Sequence, residues 1–340
     1  MPKKAFISGV LGQDGSYLAR HLLSKGYTVI GGSRRSSQDD TYRLRALGIS
    51  EEVEIINFDL TDPFNVFSTI SEGLFDEVYN LAAQSFVGAS WDLPIQTANV
   101  DAMGALYILD AIKRASPNTK FYQASTSEMF GLIQEPIQSE KTPLYPRSPY
   151  GVAKQFAHSM TINYRESFGL FACSGILFNH ESPLRGKEFV TKKITSQLAE
   201  IVAGKRDLLF LGNLDAKRDW GYAEDYVDGM WKMLQADEPD DYVLATGVTS
   251  SVREFCQWAA REAGIHLNWR GSGIDEVGID AVTGNEIIKI SERFYRPAEV
   301  DLLLGDPTKA NTKLDWRSST SVEKLAQIMM QFDLKQQGLN

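Results

Sequence analysis

Short apolar segments rich in β-branched and aromatic residues alternate with segments of helical periodicity through the first half of the chain. This alternation is typical of a parallel α/β sheet. The predicted strands are 5–8, 28–33, 53–58, 77–81, 120–125 and 171–178, and the predicted helices are 15–24, 95–114 and 150–167. In helix 95–114 the spacing predicts a buried face of Val100, Met103, Leu106, Tyr107, Leu109 and Ile112.

Beyond residue 179 the elements become shorter and are separated by Pro183 and several glycines. The Gly-rich stretch 270–285 predicts a loop. Helical patterns return at 223–234, 252–262 and 321–331. The later part of the chain therefore differs in character from the first half and predicts a smaller second domain.

A glycine-rich turn follows the first predicted strand and opens the first helix. Residues 9–15 read Gly-Val-Leu-Gly-Gln-Asp-Gly. Glycines let the backbone approach a pyrophosphate closely, and the helix N-terminus favours its negative charge. We expect a dinucleotide here; the alternative is an ordinary strand-to-helix turn. The expected cofactor contacts are Gly9, Gly12, Gln13, Asp14 and Gly15.

Two arginines, Arg34 and Arg35, follow the second strand. An NAD site usually places a carboxylate there for the ribose 2′-hydroxyl. Guanidinium groups instead suit a 2′-phosphate, which a carboxylate would repel. The pair predicts NADP(H), and the alternative is a solvated basic turn.

The ends of the third and fourth strands supply further candidate cofactor contacts. Asp59 is expected near the adenine edge, and small side chains after the fourth strand would let the backbone lie against the ribose and nicotinamide. Each segment is alternatively a plain strand end with its helix cap. The residues concerned are Asp59, Leu60, Leu81, Ala82, Ala83, Gln84 and Ser85.

A Tyr-x-x-x-Lys motif at Tyr150 and Lys154 begins the third helix. Residues four apart share a helix face, so the ammonium group can stabilise a phenolate and lower the tyrosine pKa. A phenolate facing a carbinol is a general base. Because Thr126 ends the preceding strand, its hydroxyl can bind the same reacting oxygen. The alternative is a helical packing pair.

Glu128 follows that hydroxyl by two residues. Oxidation of a sugar at C4 makes the C5 proton acidic, and a nearby carboxylate can remove it while the C6 hydroxyl leaves as water. The alternative for Glu128 is a helix-capping role. A plain epimerase or dehydrogenase has no need of this carboxylate.

Composition narrows the class of protein. With 35 Lys and Arg against 44 Asp and Glu, the net charge of −9 argues against a nucleic-acid binder. Two distant cysteines and four histidines predict no disulfide framework and no metal site. No apolar run reaches ~18 residues, so no membrane span is expected, and the short apolar run 5–11 does not fit a signal peptide. A cytoplasmic location is expected.

Longer motifs show a family resemblance over nearly the whole chain. The sequence resembles the extended short-chain dehydrogenase/reductases and, among them, the GDP-mannose 4,6-dehydratase family. The matching stretches are GQDGSYL at 12–18, RRSS at 34–37, YQASTSE at 122–128, YPRSPY at 145–150, LFNHESP at 177–183, GNLDAKRDW at 212–220 and RPAEVD at 296–301. The resemblance implies a Rossmann-like doubly wound parallel sheet with a smaller C-terminal substrate-binding domain. We expect 1–178 and 219–248 to bind NADP, and 179–218 and 249–340 to bind the nucleotide-sugar.

The resemblance also implies roles for individual residues. The catalytic residues would be Thr126, Glu128, Tyr150 and Lys154. The cofactor would also be contacted by Tyr150, Lys154, His180 and Arg185. The expected substrate contacts are Ser85, Glu128, Asn179, Val190, Lys193, Lys217, Arg218, Arg253, Arg296 and Glu299. Arg218 alternatively pairs with Asp219, and Arg296 with Glu299. A homodimer or homotetramer is implied, in which the Arg35 loop reaches a neighbouring subunit.

Three positions depart from the family pattern: Leu11 replaces a usual Thr, Gln96 a common Tyr and Leu184 a usual Arg. The Leu184 change leaves GDP-manno-heptose open as an alternative substrate to GDP-mannose. In dTDP-glucose dehydratases an Asp commonly precedes the glutamate. Here Ser127 does, so Glu128, or Glu128 with a water molecule, must act as both base and acid. A nucleotide-sugar epimerase or reductase, and a catalytically idle NADP-binding scaffold or sensor, are competing interpretations of the same motifs.

Overall fold

A computed structural model describes residues 2–37, 40–294 and 302–339. Within these ranges the chain forms strands that belong to one large sheet and three small ones. The strands are β1 Lys4–Ser8, β2 Thr28–Ser33, β3 Glu54–Asn57, β4 Glu77–Asn80, β5 Lys120–Thr126, β6 Ala172–Leu177, β7 Asn179–Glu181, β8 Leu209–Leu211, β9 Lys217–Arg218, β10 Trp220–Tyr222, β11 Asp241–Leu244, β12 Ser250–Ser251, β13 Leu267–Arg270, β14 Val277–Asp280, β15 Glu286–Ile290 and β16 Leu302–Leu303.

The large sheet is parallel throughout and has the order β11-β6-β5-β4-β1-β2-β3. The chain therefore runs outward in one direction from β1 to β3 and then returns to build the other half from β4. In such doubly wound sheets ligands bind at the carboxyl ends of the strands near this reversal. The predicted fold class is confirmed.

Helices cover the sheet and fill the later part of the chain. They are α1 Gln13–Ser24, α2 Tyr42–Ala46, α3 Pro63–Gly73, α4 Ala89–Asp92, α5 Pro94–Thr97, α6 Gly104–Ala115, α7 Pro149–Phe168, α8 Val190–Val202, α9 Ala223–Gln235, α10 Val252–Glu262, α11 Thr308–Lys313 and α12 Val322–Gln336. Local chemistry sets the ends of α7, because the Ser148 hydroxyl accepts from the Gly151 N–H and Gly169 takes a left-handed conformation at the end.

The predicted helix 95–114 is wrong as a single α-helix. Residues Ala98–Met103 form a π-turn between α5 and α6. A π-turn widens the helix and shifts the phase of the faces on either side of it. Consequently Leu109 and Ile112 are buried as predicted, whereas Val100 and Met103 are half-buried.

The predicted loop 270–285 is also wrong in part. Strands β13, β14 and β15 form an antiparallel meander there, and β8 joins it in parallel. The sequence signal is weak because β14 is short, carries a bulge between Gly278 and Ile279 and lies among glycines that turn the chain. Gly271 and Gly284 both have positive φ.

Two large hydrophobic clusters lie on the large sheet, and a third holds together the later part of the chain. The third cluster joins α8, α10 and α12 through residues such as Leu198, Phe255 and Met329. The segment 308–316 does not follow this division, since Ala310 and Trp316 pack into a cluster shared with α1 and α9. The predicted domain boundaries stay a prediction. In the described ranges no helix is long and apolar enough to cross a membrane.

Candidate active site

The glycine turn is shaped by close backbone contacts. Gly9 has φ 72°, and a Cβ there would lie 2.8 Å from the Ala82 backbone. A Cβ on Gly15 would lie 2.3 Å from the Gly9 carbonyl oxygen. Gly12 caps α1 and, having no side chain, makes no side-chain capping bond to the first N–H groups of that helix. The turn therefore offers bare backbone and a helix N-terminus, as a dinucleotide pyrophosphate requires.

The backbone after β4 is tied to this turn by Ser8. Its hydroxyl donates to Asn80 Oδ1 at 2.7 Å and accepts the N–H groups of Leu81 and Ala82, both at 3.1 Å. These contacts draw the segment 81–85 over the end of β1. Leu81, Ala83 and Ser85 consequently line a cavity at the carboxyl edge of the sheet.

The arginines proposed for the 2′-phosphate lie just after β2. Arg34 and Arg35 are both exposed, and the Arg35 N–H donates to Asn57 Oδ1 at 3.1 Å. Asp59 accepts from the Thr61 N–H and hydroxyl at 2.9 and 2.7 Å. Although partial burial opposes it, these bonds together with Arg34 lower the pKa of Asp59. Leu60 is buried and packs against α6.

Tyr150, Lys154 and Thr126 line the same cavity. The Lys154 Nζ lies 5.8 Å from the Tyr150 ring centre and donates to the Ala124 carbonyl oxygen at 3.1 Å. Burial raises the pKa of Tyr150 above its ordinary value, the nearby carboxylates of Asp101 and Glu128 add to this, and the hydrogen bond with Thr126 opposes it. The expectation of a lowered tyrosine pKa is therefore wrong for the protein alone.

Glu128 follows directly on the end of β5. The Thr126 Oγ1 accepts the Glu128 N–H at 3.2 Å, which starts the short 3₁₀ turn Ser127–Met129. This capping bond fixes the backbone of Glu128 beside the threonine hydroxyl, and both side chains line the cavity. A carboxylate, a hydroxyl and a phenol thus share one cavity, which is the set needed for acid–base chemistry on a polyol.

An ion pair joins α1 to the start of β7. His180 Nε2 lies 2.8 Å from Asp14 Oδ2, and its Nδ1 lies 2.7 Å from the Phe178 carbonyl oxygen. Burial disfavours the imidazolium, but Asp14 outweighs it and raises the pKa of His180. Burial likewise disfavours the carboxylate, yet His180 holds the pKa of Asp14 at about 2. Gln13 adds a hydrogen bond to the His180 carbonyl at 3.1 Å.

Arg185 closes the cavity on the side of the later segment. Its Nε lies 3.1 Å from Glu181 Oε2, and its guanidinium stacks 3.5 Å from the Phe189 ring centre. Phe189 meets Phe86 edge to face, at 6.0 Å between ring centres. The sequence-predicted residues that line this cavity together are Asp14, Leu81, Ala83, Ser85, Thr126, Glu128, Tyr150, Lys154, Asn179, His180 and Arg185.

The remaining predicted substrate residues that the structure describes lie outside the cavity lining. Val190 begins α8, Lys193 lies one turn on, and burial with Arg293 and Arg206 nearby lowers the pKa of Lys193 to about 8. Lys193 Nζ sits 3.1 Å from the Phe294 ring centre. The predicted positions Arg296 and Glu299 lie outside the described residues.

The cationic residues of β9 and α10 differ in their surroundings. Lys217 is exposed, whereas Arg218 is buried and donates to the Lys217 carbonyl at 2.8 Å. Arg253 forms ion pairs with Asp215 at 2.9 Å and Glu276 at 2.5 Å. A diphosphate at Arg253 would therefore have to compete with two carboxylates.

Several residues of the site carried no recognisable sequence signal. Phe86 and Phe189 line the cavity but belong to no motif. Arg43 donates to the Leu11 carbonyl at 2.9 Å and to the Leu184 carbonyl at 2.8 Å, so it connects two of the atypical positions. Leu184 is itself buried, and Gln96 is exposed. Among the described residues no group of three or more His, Cys, Asp or Glu side chains could hold a metal ion.

Comparison with known proteins gives a family match over almost the entire chain. The model of a family described as GDP-mannose 4,6 dehydratase matches residues 6–329. A GDP-mannose 4,6-dehydratase from Sinorhizobium fredii (strain HH103) is 53% identical over 339 residues, covering 98% of this chain and 97% of the relative.

Solved structures with the same fold are more distant in sequence. A dTDP-glucose 4,6-dehydratase from Bacillus anthracis in complex with NAD has a TM-score of 0.81 at 17% identity, covering 99% of this chain and 98% of its own. RMD from Pseudomonas aeruginosa complexed with NADPH has a TM-score of 0.76 at 19% identity, covering 98% and 99%. At these identities the likeness concerns the fold, which accommodates either dinucleotide.

Proposed function

The chain belongs to the GDP-mannose 4,6-dehydratase family, and on this premise we propose that it is a lyase that converts GDP-mannose into GDP-4-keto-6-deoxymannose and water. The observation that carries the proposal is the shared cavity of Thr126, Glu128, Tyr150 and Lys154. An epimerase or reductase would need Tyr150, Lys154 and a hydroxyl group, but not the carboxylate of Glu128.

NADP is the cofactor of this proposal. The bare turn at Gly9, Gly12 and Gly15 would hold its pyrophosphate, Arg34 and Arg35 its 2′-phosphate, and Lys154 its ribose. When bound, oxidised NADP would supply positive charge and the acceptor for the C4 hydride, and in reduced form the hydride donor for C6. The exposed arginines favour NADP over NAD, since an NAD site places a carboxylate there.

The first proton transfer belongs to Tyr150. Its phenolate oxygen takes the proton of the C4 hydroxyl, and a ketone forms at C4 because the C4 hydride is lost at the same time, for which oxidised NADP would be the acceptor. The Thr126 hydroxyl, which lines the same cavity as Tyr150, orients the same substrate oxygen. The Lys154 ammonium favours the phenolate, because an opposite charge in a dry site lowers a tyrosine pKa.

Glu128 carries the elimination. Its carboxylate takes the proton from C5, which the C4 ketone has made acidic, and then delivers a proton to the C6 hydroxyl as water leaves. Since Ser127 occupies the adjacent position, one carboxyl group serves as base and acid in turn. The atoms balance when C5 regains a proton as the hydride is added to C6, which replaces the proton that Tyr150 took from the C4 hydroxyl. The sugar then loses one water molecule and gains no net electrons.

The remaining proposals concern the assembly and the location of the protein. Exposed apolar side chains lie on α4, α5 and α7, which pack against one another: Trp91, Ile95, Val152 and Phe156. Such a patch fits association into a homodimer or homotetramer, which sedimentation at several concentrations would test. Cys173 and Cys256 are buried and free, which fits a reducing, cytoplasmic location.

The activity is tested by incubating the purified protein with GDP-mannose and catalytic NADP, without added reductant. Mass spectrometry should show a product lighter by one water and no accumulation of NADPH. An isomer of unchanged mass would indicate an epimerase, and absence of any product would contradict the proposal. A parallel incubation with GDP-manno-heptose distinguishes the two candidate substrates.

A further inference from the structure

A buried acid, Asp101, lies in the π-turn behind the catalytic helix. It is 2% exposed. Its Oδ1 accepts the Gln84 N–H at 2.7 Å, whereas its Oδ2 is buried and accepts no hydrogen bond from any residue that the structure describes. An unpartnered carboxylate oxygen in a dry interior costs free energy, so its presence calls for a role in the site.

The π-turn brings this acid towards Lys154. Residues Ala98–Met103 pack against α7, the helix that carries the catalytic lysine. Lys154 is itself buried, and its ammonium donates to the Ala124 carbonyl. A carbonyl oxygen carries no net charge, so the ammonium needs a carboxylate nearby to remain protonated in such a place.

The electrostatics agree with an attraction between the two charges across the contact of the π-turn with α7, without a hydrogen bond between them among the described residues. Burial lowers the pKa of Lys154, while Asp101 first and Asp14 second oppose that shift. Burial raises the pKa of Asp101 to about 6, against the effects of Lys154 and of the Gln84 N–H. Each group therefore stabilises the charged form of the other.

We propose that Asp101 is a positioning residue that keeps Lys154 charged and, through Gln84, fixes the segment 81–85 beside it. The π-turn serves this role because the extra residue in its wider turn brings an acid to a position that the regular apolar face of the helix would otherwise occupy. The expected effect of Asp101 on catalysis rests on the proposed function, whereas its expected effect on the charge of Lys154 does not.

The sign of the pH effect follows from the removal of one negative charge. Asp101 raises the pKa of both Lys154 and Tyr150, so Asp101→Asn should lower both. The remaining charges that face these groups stay in place: Asp14 towards Lys154, and Glu128 and Arg185 towards Tyr150. Both limbs of the pH profile of kcat/KM should therefore move to lower pH.

The variants are chosen to separate charge from hydrogen bonding. Asp101→Asn keeps an acceptor for the Gln84 N–H and removes the charge, Asp101→Leu removes both, and Asp101→Glu restores the charge. Asp110→Asn on α6, which removes an acid paired with Arg114, serves as the matched control. Circular dichroism and thermal unfolding confirm that each variant is folded before its activity is compared.

Two measurements on the NADP-loaded protein test the proposal. The first is an NMR titration of ¹³Cε-labelled lysine, with the Lys154 signal assigned by Lys154→Met. The second is the pH profile of kcat/KM for GDP-mannose. Asp101→Asn should lower the pKa of Lys154 and shift both limbs by about one unit. Asp101→Leu should in addition weaken NADP binding about tenfold.

The outcomes separate this inference from the proposed function. If the wild-type protein does not convert GDP-mannose, the proposed function fails, and the lysine titration still decides the role of Asp101. If Asp101→Asn leaves the pKa of Lys154 unchanged, the positioning role is overturned, whatever the activity. If the rate falls while the titration and both pH limbs stay in place, Asp101 is merely structural, and the inference is equally overturned.

Discussion

Buried carboxylates at the two edges of the central sheet differ in how many of their oxygens accept hydrogen bonds. At the amino edge, Glu77 begins β4 and is fully buried. Its Oε1 accepts from Lys3, Tyr27 and Gln235 at 3.0 to 3.1 Å, and its Oε2 accepts from Tyr79 at 2.7 Å. Both of its oxygens are used within the chain.

At the carboxyl edge, some buried polar atoms have no hydrogen-bond partner among the described residues. Asp101 keeps an unpartnered Oδ2, and the Oε1 of Gln84 is likewise buried without a partner among the described residues. Burial of a carboxyl group is therefore no sign of function by itself. The two acids differ in their hydrogen-bond partners. We expect a buried carboxylate with partners on both oxygens to stabilise the fold, and one with an unpartnered oxygen near the cavity to act in the site.

The largest expected effect is on Glu128 at the carboxyl edge. Glu128→Gln removes the base for C5 and the acid for the leaving hydroxyl, so kcat should fall by about 10²–10⁴-fold. The free energy of unfolding should change little, which denaturant titration checks. Glu166→Gln, on the exposed face of α7, is the matched control. Water release at the wild-type rate by the Glu128 variant would remove the central role of this residue.

The next largest effect is expected at Glu77, where a substitution should lower the stability of the fold and leave the activity unchanged. Glu77→Gln weakens several hydrogen bonds to a charged acceptor, and the free energy of unfolding should fall by about 1.5–3 kcal/mol. The activity of the folded fraction should stay at the wild-type level. Urea unfolding and steady-state kinetics on the same preparations measure both. A loss of kcat with unchanged stability would break the distinction between the two edges.

A smaller effect is expected for the arginines after β2. Arg34→Ala removes one charge-assisted contact to the 2′-phosphate, so NADP should bind about tenfold more weakly. Binding of NAD should be unchanged, because NAD has no phosphate there. Calorimetric titration with both dinucleotides measures this, with the exposed Arg317→Ala as a control. Equal losses for the two dinucleotides would argue against phosphate recognition.

The smallest effect concerns the His180–Asp14 pair. Because Asp14 raises the pKa of His180, the pair stabilises the fold below the unfolded histidine pKa, and this contribution is lost as the pH rises through the folded value. Asp14→Asn should let burial prevail and bring the His180 pKa below its ordinary value. Histidine NMR signals report this directly, with His158, whose pKa burial lowers, as the internal reference. An unmoved His180 titration would contradict the pairing.

Six of the seven strands of the large sheet were predictable, because each is a compact apolar run bounded by polar residues or glycine. Strand β2 matches its predicted range and five others differ by one residue at one or both ends, whereas β11 was not predicted. The meander β13–β15 escaped prediction, since its half-exposed strands alternate irregularly and lie among turn-forming glycines. The π-turn escaped because its extra residue leaves no mark in the periodicity of the sequence.

The cavity was predictable where motifs fix the position of a side chain at a strand end. Thr126 ends β5 and Glu128 lies two residues further on, while Tyr150 and Lys154 share a face of α7, so sequence spacing predicted the proximity within each pair. The partners that come from distant segments were not predictable. The π-turn that carries Asp101 packs against α7, the helix of Lys154, and the ion pairs of Arg253 with Asp215 and Glu276 depend on tertiary packing.

In the proposed reaction, residues of the cavity at the carboxyl edge dehydrate GDP-mannose, and the C4 hydrogen moves to C6 within one sugar molecule. The most direct test is turnover of GDP-mannose that carries deuterium at C4, with catalytic NADP and ordinary water. The account predicts deuterium in the C6 methyl group of the 4-keto product. Deuterium lost to water, or retained at C4 in a product of unchanged mass, would contradict it.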